Sequence, residues 1–230
     1  MAKKELERRS FLFDIRAEEL DSGYIITGRP IVYNSRTNIG GYFDEIIERG
    51  ALDNADLTDV RFLVNHDLSK IPLARSRRNT PNSTMQLMVD ADGLSIRVSL
   101  DVENNAEASS LYSAVKRGDI TGMSFMFSVD DEEWSEMDTD HPTRHIRKIG
   151  TVVEVSAVTF PAYEATTIDA RSQEALDNAK KALESAKEAM EIAKRSESNN
   201  KSSVETELEL LRLKTRSILL SAKGGKNNET

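Results

Sequence analysis

Apolar and polar residues follow two different periods along this chain, and the change falls near residue 170. Before it, short apolar runs are separated by turn-forming residues, which is the pattern of strands. Phe11, Phe13 and Ile15 occupy alternate positions. Tyr24 to Tyr33 is β-branched and aromatic, with Pro30 unable to donate to a ladder. Val60 to Val64 is an apolar strand that ends just ahead of His66. Met85–Val89 and Leu94–Leu100 flank Asp90-Ala91-Asp92-Gly93, which predicts a hairpin with glycine in the turn. Gly122–Val129 and Ile149–Phe160 read as further strands, with the acidic stretch Asp130–Asp140 between them as a loop. One helix interrupts the series. Asn105 can cap it, Ala108, Leu111, Tyr112 and Val115 recur at helical spacing, and Gly118 ends it. Many strands and few helices fit a barrel or a sandwich with helices outside.

Beyond residue 170 the period becomes helical. Leu176, Ala179, Leu183, Ala186, Met190 and Ala193 follow heptad steps in a stretch rich in Ala, Glu and Lys. Ser196 to Ser203 is a polar break. Val204, Leu208, Leu211, Thr215 and Ile218 then restart the pattern. Alanine at half the seam positions makes a thin seam, so the region reads either as a helical hairpin on the β-rich part or as a coiled coil for self-association or a partner.

Charge follows the same division. The chain of 230 residues has a net charge of -8, yet the segment from Arg171 onward carries 12 basic and 10 acidic side chains. The acidic excess therefore belongs to the β-rich region and argues against nucleic acid as the main partner. No stretch has the roughly 20 apolar residues of a membrane-spanning helix, and the N-terminal residues lack the apolar core of a signal peptide. Cysteine is absent, which removes disulfides, thiolate zinc sites and cysteine nucleophiles together.

Any catalytic imidazole must come from His66, His141 or His145. A pair at i and i+4 on a helix can hold zinc, but Pro142 argues against a helix for His141 and His145, so no metal or other cofactor is expected. Ser124 interrupts the apolar strand Gly122–Phe127, and period two places it with Met126 and Ser128, opposite Met123, Phe125 and Phe127. Glu154 is an acid among valines, opposite Val153, Val155 and Ala157. Each of these two side chains is either solvent-facing or held for a purpose. Arg75 and the Arg77-Arg78 pair are surface residues or lie in a substrate groove.

Four stretches, in order, resemble the prohead (capsid maturation) serine protease family of tailed phages, which is similar to the herpesvirus assembly proteases. Gly41 to Leu52 resembles the signature F-x-E-x-I-x-x-G-A-F, with Leu52 in place of the last Phe. Phe62-Leu63-Val64-Asn65-His66-Asp67 is followed by Ile71-Pro72-Leu73-Ala74-Arg75. The third stretch runs from Asp92-Gly93-Leu94 to Gly118-Asp119-Ile120-Thr121-Gly122-Met123-Ser124-Phe125. The last is Val153-Glu154-Val155-Ser156-Ala157-Val158-Thr159-Phe160-Pro161-Ala162-Tyr163.

The resemblance implies a mainly β (α+β), assemblin-like fold: an antiparallel β-barrel flanked by helices, with a C-terminal coiled-coil-like helical extension. It implies residues 1–10 as a tail, 11–170 as a protease domain and 171–230 as the extension. It implies His66 as general base, Ser124 as nucleophile and Glu154 as third member, with His141, His145 and Asp67 as competitors for that last place. The expected activity is serine endopeptidase cleavage of scaffold and major capsid protein, and of the chain itself around Ser196–Ser203, inside the procapsid in the host cytoplasm. The expected partners are those two proteins and further copies of this chain. Rival readings are a non-enzymatic scaffolding protein with a coiled-coil tail, and a metal-dependent hydrolase.

Overall fold

The computed structural model describes residues 6–12, 15–20, 23–159, 177, 180–196, 207–209 and 211–212. The chain divides into two compact units, Met1–Lys181 and Ala182–Thr230. Between residues 6 and 159 the described residues form β1 Glu7–Leu12, β2 Arg16–Leu20, β3 Gly23–Val32, β4 Arg36–Ile39, β5 Phe43–Ile47, β6 Asp59–Val64, β7 Ala74–Arg77, β8 Met85–Asp90, β9 Gly93–Leu100, α1 Ala106–Arg117, β10 Gly122–Ser135 and β11 Thr143–Val158.

The strands form two sheets. The smaller has the order β2-β3-β9-β8, and all its pairs are antiparallel. The larger has seven strands, ordered β1-β10-β11-β5-β4, with β6 also on β11 and β7 on β6. One apolar cluster, including Ile26, Phe62, Leu94, Leu111, Phe125 and Val155, draws on both sheets and α1. The mainly β expectation holds, but the closed barrel does not. β1, β4 and β7 end the larger sheet, β2 and β8 end the smaller, and among the described residues no ladder joins the two. Closure needs every edge to find a partner, and here the edges stay separate. Two of the pairings, β11 with β5 and β11 with β6, are parallel rather than antiparallel.

Local chemistry explains the elements that matter for the site. In the β8–β9 hairpin Gly93 has φ +139°, and a Cβ there would come within 2.0 Å of the Ile31 carbonyl oxygen, so only glycine fits. Asn105 caps α1 through its side-chain oxygen, which accepts the Glu107 and Ala108 N–H groups at 2.9 and 3.2 Å. Gly118, with φ 79°, closes the helix, and Ala108, Leu111, Tyr112 and Val115 are its buried face, as the spacing predicts.

The acidic stretch expected as a loop is largely strand. β10 continues to Ser135 and β11 begins at Thr143, so the loop shrinks to residues 136–142. Its acids are cross-strand partners: Glu132 pairs with Arg144, and Glu133 with Arg147. The long hairpin also carries bulges. Met126 stands opposite Glu154 but Phe127 opposite Val152, so Val153 is the extra residue. Val152, rather than Val153, joins Val155 and Ala157 in the core.

The described tail residues 180–196, 207–209 and 211–212 are helical. The polar break from residue 197 and most of the second heptad run lie outside the described residues.

β1 is fastened by a buried ionic network. Arg9 grips Glu45 through Nε at 2.5 Å and Nη2 at 2.6 Å, and reaches Glu7 at 2.6 Å. Arg144 holds Glu7 with two bonds of 2.7 and 2.8 Å and Glu45 at 3.0 Å. Arg9, Glu45 and Arg144 are all buried. Burial by itself would raise the Glu7 carboxyl, but the Arg144 hydrogen bond and the charges of Arg9 and Arg144 outweigh it and bring the pKa down to about 2. A depressed carboxylate stabilises the fold above its unfolded pKa and ceases to do so as pH falls. Urea midpoints should therefore be level above about pH 5 and fall between there and about pH 2, and Glu7→Gln should flatten that slope. Glu45→Ala leaves two buried guanidinium groups short of a partner and should cost about 3–5 kcal/mol in the same unfolding measurement.

Candidate active site

The site is built where β6 runs beside the C-terminal half of β11. Four residue pairs, from Glu154 opposite Arg61 to Ala157 opposite Val64, align the two strands in parallel. The attachment continues past the end of β6. The Asn65 N–H donates to the Ala157 carbonyl oxygen at 3.0 Å, and the Asn65 side-chain oxygen accepts the Thr159 N–H and hydroxyl at 3.0 and 3.1 Å. Asn65 and His66 both have left-handed backbone, with φ 51° and 57°. Asparagine tolerates that region well; two consecutive side-chain-bearing residues there need support from outside. The His66 N–H receives it from the Ser156 hydroxyl oxygen at 3.1 Å.

This turn aims His66 at Glu154. His66 Nδ1 lies 2.5 Å from Glu154 Oε1, and Glu154 is fully buried while the imidazole is about one-tenth exposed. The second carboxylate oxygen accepts the Ser156 hydroxyl at 2.5 Å. With Nδ1–H donating to the carboxylate, the lone pair sits on Nε2. Nε2 is buried and has no hydrogen-bond partner among the described residues. An imidazole oriented by a carboxylate with an open basic nitrogen is the geometry of a general base.

Ser124 stands in the same row of the sheet. It pairs with Ser156 across β10 and β11 and with Ser10 across β1 and β10. It is fully buried, and its hydroxyl donates to the Arg9 carbonyl oxygen at 2.7 Å. The structure thus brings His66 and Glu154 into contact and places Ser124 one strand away from Ser156, with its hydroxyl on β1 rather than on the imidazole.

The competing residues are engaged elsewhere. His141 Nε2 is 2.9 Å from Asp44, and His145 lies 3.1 Å from Glu48 and 2.9 Å from Ser135. Asp67 accepts the Ser69 N–H and hydroxyl. Arg75 forks onto Asp59 at 2.5 and 2.6 Å. No group of three His, Asp or Glu side chains placed to hold a metal ion occurs among the described residues. Sequence reasoning passed over Asn65 and Ser156, although both lie inside quoted motifs. A polar residue two places from a buried acid, and an asparagine at a strand end, are the signals that point to them.

A cleft of about 540 Å³ opens between the turn after β6 and α1; Asn65 and Asp67, on either side of His66 in the chain, line it, while His66 itself does not. Leu63, Val64, Leu73, Leu111, Ala114 and Ile120 give it apolar walls. Lys70 and Glu107 pair across it at 2.5 Å, and Ile71 at its side is 84% exposed.

Residues 11–182 match the family model described as Caudovirus prohead serine protease. The match covers well over half of the chain, and the chain belongs to that family of prohead serine proteases. Among solved structures, the bacteriophage T4 capsid assembly protease, gp21, aligns with a TM-score of 0.42 and 11% identity over 69% of this chain and 99% of that one. No curated protein matches.

Replacing Asn65 by Ala removes the acceptor for two Thr159 groups and puts alanine in left-handed backbone. The expected loss is about 1–3 kcal/mol in chemical unfolding. Asn65→Gly, which restores only the backbone freedom, should recover part of it.

Proposed function

We propose that the chain is a serine endopeptidase of capsid maturation in which Ser124 is the nucleophile, His66 the general base and Glu154 the group that orients the base. The observation that carries this reading is the buried His66–Glu154 contact with Nε2 unpartnered among the described residues, held by Ser156, whose register partner on β10 is Ser124. Family membership supports the reaction class.

The reaction follows from these groups. Ser124 exchanges its bond to the Arg9 carbonyl for one to His66 Nε2. Its proton passes to Nε2 as Oγ forms a bond to the scissile carbonyl carbon. Glu154 stabilises the imidazolium that results and holds the ring in place. The tetrahedral intermediate collapses, the C–N bond breaks, and the leaving amine takes the proton from Nε2. Water then gives a proton to His66 and its oxygen to the acyl carbon, releasing the acid and restoring Ser124. The apolar cleft at the Asn65–Asp67 turn suits an apolar substrate side chain, so the substrates are extended polypeptides with such a residue near the cut.

In this reading the substrates are scaffold and major capsid protein inside the procapsid in the host, and the chain itself near Ser196–Ser203. The helical tail supplies docking to those proteins or to further copies of the chain. Removal of internal segments makes maturation irreversible.

The test is co-expression with the cognate major capsid protein, read by intact-protein mass. Ser124→Ala and His66→Ala should each lower the cleavage rate by about 10⁴-fold or more, and Glu154→Gln by about 10³–10⁴-fold. Cleavage that survives Ser124→Ala rules out this nucleophile. Particles that assemble with no cleavage by the wild type favour a scaffolding role instead.

A further inference from the structure

We propose that Ser156 is a positioning residue for the reaction: its one hydroxyl locks both the carboxylate and the backbone of the base. This rests on the reading of His66 as base above. The proton placement is forced by chemistry. A carboxylate can only accept and a backbone N–H can only donate, so Ser156 spends its proton on Glu154 Oε2 and a lone pair on the His66 N–H. Glu154 Oε1 is on His66 Nδ1. Ser156, Glu154 and His66 therefore close a ring of three hydrogen bonds.

Each bond in the ring removes a freedom that the base would otherwise have. A carboxylate held at one oxygen alone can pivot about its last torsion; held at both, Glu154 presents Oε1 in one direction. The imidazole follows, because Nδ1 is tied to that oxygen. The third bond acts on the main chain, where His66 sits in left-handed backbone that needs an external restraint. Ser156 and Glu154 are both fully exposure-free, so water does not compete for these bonds. Ser156 also faces Ser124 in the β10–β11 register, which ties the base and the nucleophile to one backbone row. Misplacement of a base by a fraction of an ångström is costly to rate, and this ring is what prevents it.

The experiment uses the full chain and an irreversible fluorophosphonate probe, with labelling of Ser124 followed by intact mass. Ser156→Ala should slow labelling about 10–100-fold. In a Glu154→Gln background the same change should slow it by less than in the wild type, because the restraint through Glu154 is already lost and only the bond to the His66 N–H remains to be removed. The proton resonance of His66 Nδ1–H should move or broaden in Ser156→Ala. Ser156→Cys keeps the volume but is a weak donor, so it should resemble Ser156→Ala in rate while folding like the wild type. Equal slowing in both backgrounds, or an unmoved Nδ1–H resonance, overturns the proposal and leaves Ser156 a packing residue. A wild type whose label sits on a residue other than Ser124 overturns the nucleophile assignment instead.

Discussion

β11 is the strand on which the rest depends, because its second edge is divided between two partners. Its first residues pair with β5 and its last with β6, both in parallel. The second pairing brings residue 66 against residue 154, which no local interaction could do. Parallel pairing demands a long crossover, and the chain supplies it between β6 and β11 with β7, the small sheet's β8 and β9, α1 and β10. The contact of the imidazole with its carboxylate, and the hydroxyl that binds the carboxylate and the His66 N–H, are consequences of that alignment.

The two halves of β11 use polarity in different ways. The first half carries the buried Arg144 into a set of charges with Glu7, Glu45 and the part-exposed Glu132, where each guanidinium nitrogen of Arg144 meets an acid on another strand. Charges removed from water hold register only when they are paired, so this network fixes β1 and β5 against the hairpin. The second half carries Glu154 and Ser156, equally buried but joined to one residue, Glu154 to the His66 imidazole and Ser156 to the His66 backbone N–H. One arrangement is saturated. The other leaves a basic nitrogen open, and that difference separates a structural network from a chemical one.

Much of the architecture was legible in the pattern of residues. The hairpin at Asp90–Gly93, the cap at Asn105 and the stop at Gly118 depend on contacts within a few positions, and they stand where the spacing places them. Ser124 and Glu154 stand out because each breaks an apolar run and His66 because it follows one, while their roles as nucleophile, acid and base are what the family resemblance implies. The acidic segment reads as a loop for the opposite reason: its charges make no sense locally and become strand residues once Arg144 and Arg147 of the facing strand pair with Glu132 and Glu133. The bulge at Val153 and the separate edges of the two sheets also arise from pairing between distant segments.

The sequence by itself determined the elements, the two periods and a short list of reactive side chains, since these follow from residue type and near-neighbour spacing. Only the tertiary structure decided which acid serves which histidine. The resemblance points to Glu154, with Asp67, His141 and His145 as competitors; parallel pairing of β6 with β11 leaves Glu154 on His66, while His141 and His145 meet Asp44 and Glu48. The reason is that a hydrogen bond is selected by position within a few tenths of an ångström, and position across 88 residues of chain is set by strand register rather than by composition.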